Sequence, residues 1–129
     1  MSRLIPILIL AALLAACSGK DSPADRGSEE AAVRDAVSTY VVAFGDGNPD
    51  RAWAFVSERC QDSIPESEYR AGVAAAGELY ADLKVDEFTE IVLDGDTAVV
   101  AYTTDPVVEG AKDDERWIQE AGTWRWDDC

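Results

Sequence analysis

Three cysteines, twenty-six carboxylates, four tyrosines, four tryptophans and no histidine set out the side-chain chemistry open to this chain. Without histidine there is no Ser-His-Asp or Cys-His nucleophile. His-containing zinc sites and the commonest general base near neutral pH are also absent. Gly45-Asp46-Gly47 lacks a following lysine and a preceding strand, so it is not a phosphate loop. What remains is thiol chemistry at Cys17, Cys60 and Cys129, and acid–base chemistry between a carboxylate and one of Tyr40, Tyr69, Tyr80 and Tyr102. An Asp in an apolar pocket can act as a base, and a Tyr as donor to a developing oxyanion. No motif singles out such a pair. Solvated carboxylates and core tyrosines are the simpler reading, so no catalytic residue is assigned. Asp94, Asp96 and Asp113-Asp114-Glu115 offer oxygen ligands of the kind calcium takes. They fit no EF-hand loop and read as turn formers and a solvated loop, so no metal or cofactor is expected.

Cys17 has the most informative surroundings. Arg3 precedes an apolar run over residues 4–14, and Leu14-Ala15-Ala16 then lead into the cysteine. A basic start, an apolar core and small residues before a cut are the marks of a secretory signal. Residues 4–16 number thirteen and are interrupted by Pro6, whereas a membrane span needs about 20 apolar residues. The stretch Leu14-Ala15-Ala16-Cys17 resembles the lipobox of bacterial lipoproteins. That resemblance implies a diacylglycerol on the Cys17 sulfur, cleavage after Ala16, and a protein held at the outer face of the bacterial cell membrane. One acyl chain gives only reversible binding, and two on one residue give a stable anchor.

Losing residues 1–16 removes one charged residue, Arg3, and moves the formal charge from −15 to −16. Such a surface repels nucleic acid and anionic headgroups, so the lipid rather than the protein surface must provide membrane attachment. With Cys17 acylated, Cys60 and Cys129 remain. In a disulfide-permissive compartment they either pair or stay as two free thiols.

The elements that must position these groups follow from pattern. Residues 17–28 are small and polar and read as a flexible linker. Ser28 is placed as an N-cap, and Val33, Ala36, Val37, Tyr40, Val41 and Phe44 recur at steps of three and one, which predicts an amphipathic helix. Asn48 and Pro49 open a second helix ending between Ser57 and Cys60, with Ala52, Trp53 and Val56 inward. Ser63 and Glu66 form a capping-box pattern for a third helix reaching about Asp82. Its inward candidates are Tyr69, Val73, Ala76, Leu79 and Tyr80, and Gly72 and Gly77 weaken it, with fraying or a break near Gly77 as the consequence. Strand-like residues follow. Asp94-Gly95-Asp96 and Glu120-Ala121-Gly122 read as hairpin turns, and residues 105–115 as an acidic loop. Helices first and strands second predict one α+β domain over residues 29–129, with three helices packed on a curled four-stranded antiparallel sheet.

That order, with the ending Trp117-Ile118-Gln119-Glu120-Ala121-Gly122-Thr123-Trp124-Arg125-Trp126-Asp127-Asp128-Cys129, resembles the nuclear-transport-factor-2-like superfamily, the cystatin-like cone. More narrowly it is similar to small actinobacterial lipoproteins of that fold. The resemblance implies a Cys60–Cys129 disulfide and an apolar pocket at the open end of the cone. Candidate lining residues are Tyr40, Phe44, Trp53, Tyr102, Trp117, Trp124 and Trp126; Trp124 and Trp126 share a strand face. The same rings could instead fill the core. Three functions follow as expectations. The first is a non-enzymatic, lipid-anchored domain that binds a small apolar ligand or an envelope protein. The second is an isomerase or dehydratase using a pocket Asp, as in enzymes of that superfamily. The third is a module that dimerises through its sheet.

Overall fold

The computed structural model describes residues 23–109 and 113–129. Helix α1, Pro23–Gly45, buries Val33, Ala36, Val37, Tyr40 and Val41 of the face that the three-and-one spacing marks, with Ala43 beside them, while Phe44 is only partly buried. Ser28 is not its cap, since residues 23–28 are already helical. Extending a helix already nucleated by packing costs little. Residues 23–28, expected in the linker, are therefore helical, though exposed. Residues 17–22 lie outside the described residues.

The segment expected as one second helix is two. Asn48 Oδ1 accepts the Arg51 N–H at 3.1 Å and opens α2, Pro49–Ala54. Val56 then makes a parallel bridge with Trp126, and Ser57 Oγ accepts the Cys60 N–H at 3.2 Å to open α3, Glu58–Ser63. The chain leaves the helix at residue 55 because its backbone pairs with Trp126 there: the Trp126 N–H donates to the Phe55 carbonyl at 2.7 Å. Ser63 is no cap. It closes α3 and donates to the Cys60 carbonyl at 3.2 Å, while α4, Glu66–Leu79, starts behind Pro65 without a side-chain cap. Helix α4 does not break at Gly77. Leu79, expected inward, is 73 % exposed at its end. The described residues thus contain four helices rather than three.

Four strands follow: β1 Lys84–Asp94, β2 Thr97–Asp105, β3 Glu115–Glu120 and β4 Thr123–Trp126. They form an antiparallel sheet in the order β1-β2-β3-β4. Both hairpins turn where expected. Asp94 faces Thr97 across Gly95-Asp96, and Glu120 faces Thr123 across Ala121-Gly122. Ala121 and Gly122 both have positive φ, 49° and 80°, as a tight two-residue hairpin turn demands. The sheet stays open and is not strongly curled, in contrast to the cone expected. Register shifts between Val85 and Glu87 and between Phe88 and Glu90 irregularise β1 locally.

Helix α1 packs against β1 and β4, and α2 and α4 pack against α1 and each other. The core between helices and sheet joins Val33, Val37, Tyr40, Val41 and Val73 to Ala98, Val100, Trp117 and Trp124. Its base is set by two close approaches. Gly45 lies against Leu83, and Gly77 of α4 lies against Gly47, which has φ +58°.

Candidate functional site

The seven candidate pocket residues fall into one aromatic body and two outliers. Tyr40 stands at its centre. Its ring lies 5.0 Å from Phe44, 5.5 Å from Trp117 and 6.1 Å from Trp126, the last a stacked pair. Phe55, not anticipated, joins at 6.3 Å. Trp53 reaches the group through Tyr69, at 5.1 Å. Tyr102 packs instead on Phe88 at 6.0 Å. Trp124 is buried, with its indole N–H unpartnered among the described residues. Tyr40, Trp117 and Trp124 are buried, while Phe44, Trp53, Tyr102 and Trp126 are partly exposed. Edge-to-face and stacked rings at these spacings pack against one another.

A polar seam runs through this aromatic body. The Tyr40 and Tyr69 hydroxyls are 2.8 Å apart. Glu115, expected in a solvated acidic loop, is the first residue of β3 and only 6 % exposed. Trp117 Nε1 donates to its Oε1 at 2.7 Å, and the Tyr102 hydroxyl donates to Oε2 at 3.2 Å. Strand geometry explains the correction: Glu115 and Trp117 are two apart, so both point to the same, inner face. Had β3 been started one residue earlier, the alternation would have shown it. Burial raises the phenol pKa of all three tyrosines. Tyr40 stands well above 10, with its Tyr69 partner adding to the rise. Tyr69 is pushed up to about 12, its bond to Tyr40 opposing the effect of burial. Tyr102 is raised by burial and then by the Glu115 charge. These hydroxyls therefore stay protonated; Tyr102 donates to Glu115, and one of Tyr40 and Tyr69 donates to the other.

A second constellation gathers where the end of β4 meets α3. Cys60 and Cys129 are joined, with sulfurs 2.08 Å and Cα atoms 5.6 Å apart, inside the range a disulfide takes. Beside them the buried Asp127 carboxylate meets Ser57, Arg59 and Arg116. Sequence reasoning missed Asp127, one acid among twenty-six with no periodic signal of its own. Between α3 and the β3–β4 hairpin lies an open groove lined by Val56, Arg59, Asp62, Ile118, Glu120 and Arg125, among others. None of the seven candidate lining residues is in its wall.

Cys17 lies outside the described residues. Among the described residues no helix is long and apolar enough to cross a membrane. Nor do they contain a group of three or more His, Cys, Asp or Glu placed to hold a metal. Asp94 ends β1 at the first hairpin turn and Asp96 lies within that turn. Comparison with protein-family models, curated proteins and solved structures returns no match.

Proposed function

We propose that this chain is a lipid-anchored protein of the bacterial cell envelope whose domain acts by binding another envelope protein, without catalysis. The observation that carries the reading is the Cys60–Cys129 bond. It spans 69 residues, fits an oxidising compartment, and leaves Cys17 as the remaining thiol, behind a sequence that resembles a lipobox. Membership in the nuclear-transport-factor-2-like superfamily is part of the proposal. Its support is the order of elements, helices followed by two antiparallel hairpins with the long α1 laid against the sheet.

Binding is favoured over catalysis by the interior polar seam. Its tyrosines remain protonated and its acid is engaged by Trp117 and Tyr102, an arrangement that holds groups in place. A protein partner is favoured over a small apolar ligand because the candidate lining rings pack on one another around Tyr40. Two measurements test this. Cys17→Ser should move the protein from the membrane fraction to the soluble extracytoplasmic fraction. Titration with small apolar molecules should leave tryptophan fluorescence without a saturable change. Unchanged fractionation of the variant would remove the anchor from the account, and saturable quenching would turn the partner into a ligand.

A further inference from the structure

Asp127 is a buried charge with no part in the reading above. Its side chain is 2 % exposed, yet both oxygens are engaged. Ser57 Oγ donates to Oδ1 at 2.5 Å, and Arg59 Nε lies 3.2 Å from the same oxygen. Arg116 Nε lies 3.0 Å from Oδ2. The main chain adds to this. Arg59 Nη2 donates to the Asp127 carbonyl at 2.7 Å, and the Asp127 N–H donates to the Arg116 carbonyl at 2.9 Å. One residue earlier, the Ser57 N–H donates to the Trp126 carbonyl at 2.8 Å. A buried carboxylate that loses its partners is strongly destabilising. Here the partners come from α3, from the residue before it and from β3. The carboxylate is satisfied when all of them are in place around residues 126–127. Cys60 Sγ also lies 3.7 Å from Oδ1, and the other contacts involve no sulfur.

We propose that this Asp127 clamp selects the disulfide. It sets Cys129 against Cys60 before either is oxidised, and so keeps Cys17 out of thiol exchange. Three cysteines allow three pairings, and two of them would consume Cys17. The clamp holds residues 126–127 against Ser57, α3 and β3 by contacts other than the disulfide, next to Cys60, which is fully buried once bonded. Cys129, two residues beyond Asp127, is already beside it. Holding two reacting groups together turns their encounter into an intramolecular event at high effective concentration. With oxidised glutathione as oxidant, the Cys129 thiolate attacks one glutathione sulfur and expels a glutathione thiolate. The Cys60 thiolate then attacks the Cys129 sulfur of the mixed disulfide and expels the second. Two protein thiols are oxidised and one glutathione disulfide is reduced to two thiols.

The inference draws its use from the lipid reading of Cys17, but its test does not depend on acylation, so the two can fail separately. Full-length chain with unacylated Cys17, held in detergent, is reduced and placed in a glutathione redox buffer. Samples are quenched with an alkylating reagent and the bonds mapped by mass under non-reducing conditions. The wild type should form Cys60–Cys129 and leave Cys17 alkylated. Asp127→Asn should form the native bond roughly tenfold more slowly, since it loses charge-assisted bonds. It should also accumulate bonds that contain Cys17. Arg59→Gln and Arg116→Gln each remove one arm from a half-exposed position, with side chains 58 % and 53 % exposed in the wild type. With circular dichroism unchanged, they should shift rate and pairing in the same direction by smaller factors. Wild-type rates and pairing in both arginine variants would overturn the clamp even if Asp127→Asn misfolds. So would Cys17-containing bonds in the wild type.

Discussion

Trp117 and Glu115 carry the most weight among single residues. The fully buried indole spends its N–H on a carboxylate that strand alternation turns inward, and Tyr102 adds a second donor. The reading of Asp113-Asp114-Glu115 as solvated loop holds for the exposed Asp113 and Asp114 and fails at Glu115, whose burial comes from Trp117 on its own strand and Tyr102 on β2. The phenols around this seam give a testable pH dependence. An unfolded tyrosine ionises near 10. Tyr69 in the fold ionises at about 12, and Tyr40 and Tyr102 are also raised. The folded pKa is the higher one, so the stability these groups contribute is fully present below pH 10. It is lost as the pH rises through about 12. The urea midpoint should therefore fall between pH 10 and 12, and Tyr69→Phe should blunt that fall. An equal fall in the variant would mean that Tyr69 contributes nothing to it.

At the scale of elements, α1 was legible in its apolar spacing and both hairpins in their turn residues. The break between α2 and α3 was not. It is imposed by pairing of residues 55–57 with Trp126, a contact no local pattern of Ala52, Trp53 and Val56 encodes. The openness of the sheet was equally hidden, since alternation reports which face a residue takes but not how far the strands coil. Gly77 shows the same limit. Propensity marks it as a weak point, yet α4 runs through it, because its missing side chain lets α4 rest on Gly47. A methyl group at Gly77 would sit 2.4 Å from Gly47 Cα and 2.6 Å from its nitrogen. Gly77→Ala should thus cost about 1–3 kcal/mol despite its gain in helix propensity. Gly72, on the same helix, has nothing within 4 Å of such a methyl, and Gly72→Ala should stabilise by up to about 1 kcal/mol. Denaturant midpoints that moved together would contradict the close approach. The β1 edge also bears on assembly. It is unpaired in the sheet order and carries Asp86, Glu87 and Glu90, so a second copy adding there would set acid against acid.

For the whole molecule, the proposal is a Cys17 that is acylated ahead of a domain closed by a disulfide. The disulfide closes a loop near seventy residues, for which chain entropy gives about 4 kcal/mol as an upper figure. Backbone pairing and the Asp127 contacts fasten the same region independently. The net charge of −15 over the full sequence disfavours anionic headgroups, so the proposed anchor is the lipid rather than the protein surface. The proposal of an envelope position rests on residues 3–17 alone, whereas the contacts of Asp127 beside the disulfide became visible only in the fold. The most direct measurement is the mass of the protein extracted from native membranes without reduction, digested after thiol alkylation. The account predicts an N-terminal peptide that begins at Cys17 and carries diacylglycerol, together with a Cys60–Cys129 linked peptide and no alkylated thiol. An unmodified Cys17 peptide, a retained Met1, or alkylated Cys60 and Cys129 would contradict it.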